Sequence, residues 1–165
     1  AMVLIMASPL AFMAGEDMLH AEVRQTEGLT FVARGPSNHW VVLDTSESGG
    51  GHGAGSNPME LLLMALGGCT GMDIVSILAK MKESYAGFRV ELSGERAEEH
   101  PHQFTRIFVD YYLTSDTVLT DNVVKAVRLS AEKYCSVGGT LAPGVAMVHR
   151  YHIIRGTGEE TGEVV

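Results

Sequence analysis

Cys69 and Cys135 are the two residues of this chain whose chemistry reaches furthest beyond packing. Two thiols brought close together can cycle between dithiol and disulfide, whereas two thiols buried apart are inert core residues. A pair of cysteines in a chain of 165 residues does not make the disulfide scaffold of a small secreted domain. Nor does any Cys-x-x-Cys or His/Cys cluster show zinc-ligand spacing. Cys69 stands within Gly67, Gly68, Thr70 and Gly71. Each glycine inside a helix costs about 1 kcal/mol relative to alanine, so three around one thiol point to the close approach of another backbone or a ligand. Tight helix packing around a buried thiol is the plain alternative. Cys135 falls in the last turn of a second helix, and a bridge to Cys69 requires the two Cα atoms within roughly 7 Å.

The elements that must position these thiols follow from periodicity. Leu19 to Gln25 and Leu29 to Ala33 flank a turn at Thr26, Glu27 and Gly28, and His39 to Leu43 completes three N-terminal strands. From Asp44 to Asn57 the Gly- and Ser-rich run DTSESGGGHGAGSN has no apolar period and predicts a mobile connecting loop. Pro58 suits a first helical position after a Ser56 or Asn57 cap, and the helix extends to about Lys82. Between Glu60 and Asp73 it carries no charge, which predicts a central buried helix, too short and too Gly-broken for a membrane span of about 20 apolar residues. Phe88, Val90 and Leu92, then Ile107, Val109, Tyr111 and Leu113, alternate as strands joined around Glu98 to Gln103. Val123, Val127, Ser130, Ala131 and Tyr134 recur at helical spacing after a Thr120 or Asp121 cap, and Gly138 and Gly139 stop that helix. Ala146 to Ile154 is a last strand. The order β-β-β-α-β-β-α-β is an α+β layout with no phosphate-cradling glycine motif.

The composition supports one domain, over residues 18–155. Residues 1–17 are apolar, lack Lys and Arg, and are read as an extension before Met18; the missing basic stretch argues against a secretory signal and for the cytoplasm. Residues 156–165 (GTGEETGEVV) form an acidic tail expected to be flexible. A formal net charge of −8 with scattered Lys and Arg offers no footprint for nucleic acid, and no membrane partner is expected.

The block SNPMELLLMALGGCTGMDIVSIL from Ser56 to Leu78, with AEKYCSVGGTL from Ala131 to Leu141, resembles the two cysteine motifs of the OsmC/Ohr family of osmotically inducible and organic-hydroperoxide-resistance proteins. The order of elements from Met18 to Arg155 fits that family, and GLTF at Gly28 to Phe31, NPMELLLMALGGC and SAEKYCS are most similar to its YhfA-like branch. The resemblance implies an OsmC-like fold with antiparallel sheets around a long central helix, and an intertwined homodimer with sites near the interface. It also implies a thiol peroxidase in which Cys69 attacks an organic hydroperoxide and becomes a sulfenic acid. Cys135 then resolves it to a disulfide, and an external dithiol reduces the bridge. No cofactor and no metal is implied.

The pattern departs from the peroxidase members at Met59, where they carry a glutamate directly after Asn-Pro that holds an arginine against the thiolate. Glu60 cannot substitute, because 3.6 residues per turn put it on roughly the face opposite Cys69 and about 13 Å away along the axis. Arg34 is the best-placed arginine, with Arg96 and Arg106 as others. Asp73, at i+4 from Cys69, shares its helix face, where it either opposes charge on the sulfur or holds an arginine in place of the missing glutamate. His100 and His102 flank a turn proline, and His149 and His152 point to opposite faces of one strand, which disfavours a shared metal site. Two readings follow: a peroxidase acting on organic hydroperoxides through Cys69 and Cys135, or an OsmC-like dimer without that activity that binds a small apolar molecule.

Overall fold

The structure, a computed structural model, describes residues 18–165. The extension expected over residues 1–17 lies outside the described residues. The chain divides after Asn57 into two compact units.

In the first unit β1 (Glu22–Glu27), β2 (Thr30–Arg34) and β3 (Trp40–Leu43) form an antiparallel sheet in the order β1-β2-β3. Gly28 makes the first turn at φ 55°, a left-handed conformation that glycine adopts without steric cost. The following loop is not the plain mobile connector expected from its composition. It contains a 3₁₀ turn (Glu47–Gly49) and wraps around Asp44, which is only 3% exposed. The Asp44 carboxylate accepts the backbone N–H groups of Thr45 (2.7 Å), His52 (3.1 Å) and Ala54 (3.1 Å) and the Thr30 hydroxyl (3.0 Å). Burial pushes this carboxyl up, but the donors outweigh it and hold it below its ordinary range. Gly51 is needed here, since a Cβ would fall 2.3 Å from the Thr45 carbonyl oxygen. One carboxylate therefore organises a loop that has no hydrophobic reason to fold.

The second unit holds α1 (Pro58–Lys80), β4 (Gly87–Arg96), β5 (Phe104–Thr114), α2 (Thr120–Leu129), α3 (Ser136–Leu141), β6 (Ala146–Arg155) and β7 (Gly158–Glu163). Its sheet runs β4-β5-β6-β7 and is mixed. β4 and β7 pair antiparallel to their neighbours, whereas β5 and β6 are parallel, because the chain between them crosses over through α2 and α3. The expectation of purely antiparallel sheets is corrected there. On β5 the alternating Ile107, Val109, Tyr111 and Leu113 are all fully buried and meet Leu66, Ile74 and Leu78 of α1 with Val123 and Val127 of α2 in one core. Burying each large aliphatic side chain of this set stabilises the fold by about 1.5 to 3 kcal/mol.

α1 is 23 residues long, about 35 Å, which is long and apolar enough to cross a membrane. The sequence reading of its length as too short is corrected. Here its buried side packs into the core while Met64, Met72 and Val75 stay exposed on the other. Two of its glycines face β4: a Cβ on Gly67 would sit 2.6 Å from Leu92 Cδ1, and one on Gly71 would sit 3.4 Å from Val90 Cγ2. Helix-to-sheet packing accounts for those two positions.

The acidic tail expected to be flexible instead contains β7. Gly156 turns the chain at φ 53°, and the glutamates find partners on β6 and beyond. Glu159 bonds the His152 ring (2.8 Å), and Glu160 takes Arg155 Nε (3.2 Å) and the Thr120 hydroxyl (2.7 Å). Charge that reads as disorder in isolation is here matched by a neighbouring strand.

Candidate dithiol site

Cys69 projects from the middle of α1, and Asp73 follows one turn later on the same face. Cys135 arrives from the crossover between β5 and β6. The residues after α2 do not simply end a helix. Ser130–Tyr134 form a π turn in which Cys135 N donates to the Ser130 carbonyl at 2.9 Å. That widened turn changes the facing of the segment by one residue. Ser130 thereby donates its hydroxyl to Asp73 Oδ2 at 2.9 Å. Cys135 leaves the helix with extended backbone (φ −70°, ψ 100°) and caps α3, its sulfur accepting the Gly138 N–H at 3.2 Å. Gly138 and Gly139, expected to stop the second helix, instead lie inside α3. A Cβ on Gly138 would be 3.3 Å from Cys135 Sγ, so this glycine leaves room for the thiol.

The outcome is a convergence of three groups: Cys69 Sγ, Cys135 Sγ and an Asp73 carboxylate oxygen all lie within 4.8 Å of one another. Both cysteines are free thiols, Cys69 partly exposed and Cys135 only 5% exposed. Burial chiefly, with contact from the Cys69 thiol and the Asp73 charge, pushes the Cys135 thiol up to about 11 against the pull of the Gly138 N–H. Closing the sulfurs to a bond of about 2.05 Å takes less than about 3 Å of travel, within reach of a rotamer change at one cysteine.

Thr70, beside Cys69 and fully buried, donates to the Leu66 carbonyl at 3.0 Å and touches the Tyr111 hydroxyl. Tyr111 in turn bonds His149 Nδ1 at 2.8 Å, with the two rings stacked. Burial holds Tyr111 well above its ordinary range and keeps His149 below its own. This chain of polar groups links α1 to β5 and β6 through the core.

The other sequence candidates have partners of their own. Arg34 belongs to the first unit, where Nε pairs with Glu22 (3.1 Å), Nη1 donates to Asn38 (2.6 Å) and the guanidinium lies over Trp40 (4.7 Å). Arg96 donates to the His102 carbonyl and Arg106 pairs with Glu95. Asp73 accepts the Ser130 hydroxyl and forms no ion pair with a Lys or Arg of its own unit. Met59 packs half-buried against the core. His149 faces inward to Tyr111 and His152 outward to Asp110 (2.9 Å), on opposite faces as their parity requires. Sequence reasoning missed Ser130 and Gly138 as partners of the site and the Thr70–Tyr111–His149 chain; only the buried positions of Ser130 and Tyr111 in otherwise apolar patterns hinted at them.

Along α1 and β4 an open, mainly apolar groove of about 620 Å³ is lined by Leu63, Met64, Met72, Phe88, Val90 and Leu92 among others.

A family model described as OsmC-like protein matches residues 50–150. The chain is 39% identical over 136 residues to Protein YhfA of Escherichia coli (strain K12), a match covering 82% of this chain and 98% of that protein. Among solved structures, a hypothetical protein from Aquifex aeolicus VF5 superposes with a TM-score of 0.73 at 28% identity, over 83% of this chain and 96% of the other. An organic hydroperoxide resistance protein from Legionella pneumophila superposes with a TM-score of 0.63 over 86% and 99%, and at 12% identity that likeness is one of fold.

Proposed function

Because the chain belongs to the OsmC-like protein family, we propose that it is a thiol-dependent peroxidase that reduces organic hydroperoxides through Cys69 and Cys135. The observation that supports this most is the approach of the two sulfurs to within 4.8 Å of each other. Their burial suits a division of labour. Cys69, the more accessible, attacks the terminal peroxide oxygen as a thiolate; the O–O bond breaks, the alcohol leaves with a proton, and Cys69 becomes a sulfenic acid. Cys135, buried and protonated, then attacks that sulfur; water leaves and a disulfide forms. An external dithiol restores both thiols. A homodimer would cover the exposed Met64, Met72 and Val75 of α1 and with them part of the groove, whose lining includes neither cysteine. Cytoplasmic residence belongs to the same proposal.

The test is to follow loss of cumene hydroperoxide with a dithiol present, beside Cys69→Ser and Cys135→Ser. The expected result is turnover by the native chain, none by Cys69→Ser, and a single sulfenic acid event without bridge formation in Cys135→Ser. Turnover no faster than a thiol blank would refute the proposal. Light scattering on the eluting protein tests the dimer, and a monomer would count against it.

A second reading, an OsmC-like dimer that holds a small apolar molecule without reducing it, is favoured by Met59 in place of the family glutamate and by the groove. Saturable binding of a non-peroxide apolar probe with no peroxide turnover would select it.

A further inference from the structure

We propose that the reduced site binds one divalent ion of the zinc class through Cys69 Sγ, Cys135 Sγ and an Asp73 carboxylate oxygen, leaving a fourth position for water. This does not rest on peroxidase activity; it needs only two reduced thiols. Sequence spacing gives only half of it, because two ligands come from one helix face and the third from a distant crossover.

The geometry is close to a finished site. Zn–S bonds of about 2.3 Å and Zn–O bonds of about 2.0 to 2.2 Å give tetrahedral edges of roughly 3.5 to 3.8 Å between ligand atoms. The three atoms already lie within 4.8 Å of one another, so each pair needs to close by no more than about 1.3 Å. Cys69 and Asp73 stand at i and i+4, the spacing by which a single helix turn presents two metal ligands to one point. Both the carboxylate and the second sulfur are aimed by further bonds: Ser130 Oγ donates to Asp73 Oδ2, and Gly138 N–H to Cys135 Sγ. Such outer hydrogen bonds orient ligands and raise affinity. No lysine or arginine of the Pro58–Val165 unit forms an ion pair with Asp73. Two sulfurs and one oxygen favour zinc or cadmium over magnesium or calcium. Binding exchanges two thiol protons, released to the buffer, for one metal ion, and leaves both sulfurs unavailable to peroxide. The ion would thus hold the pair in its reduced form.

The full-length reduced chain, stripped with a chelator, would be titrated with Co²⁺ as a spectroscopic probe and then with Zn²⁺. The expected result is one Co²⁺ per chain with the visible bands of a tetrahedral ion and sulfur-to-metal charge transfer, displaced by Zn²⁺. Charge-transfer intensity should fall by about half in Cys69→Ser or Cys135→Ser, and affinity by about tenfold or more in Asp73→Asn. Oxidising the native chain to its disulfide should abolish binding, a control that needs no substitution. Binding that survives oxidation, or that persists in the double cysteine variant, would overturn the proposal, as would no binding at all. Peroxide turnover, measured separately in chelator-treated buffer, reports on the other reading alone.

Discussion

A chain carrying Cys69→Ser isolates the Cys135 thiol, and adding Asp73→Asn then removes one negative charge while keeping an oxygen to accept the Ser130 hydroxyl. Asp73 lies within 4.8 Å of the Cys135 sulfur. At that distance two unit charges interact by about 0.9 kcal/mol in water and about 3.5 kcal/mol at an effective dielectric of 20. Burial is the leading cause of the rise of Cys135 to about 11, and the Asp73 charge the smallest, so the lower figure applies. That energy is worth about a fivefold gain in thiolate population well below the thiol's midpoint. Nucleophilicity falls as a thiol becomes more acidic, with a coefficient of about 0.4 to 0.5, which trims the gain in rate to roughly two- to threefold. Iodoacetamide alkylation, followed by mass spectrometry across a pH series in metal-free buffer, reads both quantities. The double variant should react faster near neutral pH and show a lower midpoint than Cys69→Ser alone. An unchanged or slower rate would refute the electrostatic role given to Asp73.

The raised Cys135 thiol also sets an alkaline limit on stability. The unfolded thiol ionises near its ordinary midpoint while the folded one stays protonated, so the folded state loses roughly 1 to 2 kcal/mol as pH climbs from about 9 to about 11; Cys135→Ala should flatten that part of a pH series of urea midpoints. His149 has the opposite sign: held neutral by burial, it contributes stability above the ordinary histidine midpoint that is lost as pH falls below it, and His149→Gln should lessen that acid sensitivity in thermal melts. Tyr111→Phe leaves the His149 ring without its buried partner and should cost about 1 to 3 kcal/mol in denaturant unfolding. Gly71→Ala places a methyl at ordinary contact from Val90 and should gain about 0.5 to 1 kcal/mol from helix propensity, whereas Gly67→Ala forces Leu92 to move and should gain nothing or lose about 1 kcal/mol; calorimetry separates the two.

Much of this molecule can be read before it is seen, and the parts that cannot share a cause. Phe88, Val90 and Leu92 alternate because one face of β4 is covered, and Pro58 opens α1 because its missing N–H is not needed there; both signals are local. The cysteine pairing was legible through the two motifs and not through spacing, since nothing near Cys69 in the chain indicates what the crossover delivers to it. Ser130 illustrates the limit. In sequence it is a small residue at a helical core position, and only the π turn directs its hydroxyl to Asp73. The Asp44 loop and β7 escape a local reading for one reason: their stabilising partners are polar groups fixed by other segments, Thr30 for the one, His152 and Arg155 for the other. Likewise the parallel pairing of β5 with β6 depends on where α2 and α3 return the chain, which no strand's own residues encode.

β7 has a role that its modest length conceals. It is the outermost strand of its sheet, and an open strand edge is a template on which another chain can add and begin an aggregate. Glu159, Glu160 and Glu163 line it with negative charge, so an approaching copy meets like charges before any backbone bond can form. This acidic strand thus completes the sheet and sets like charges along its last edge.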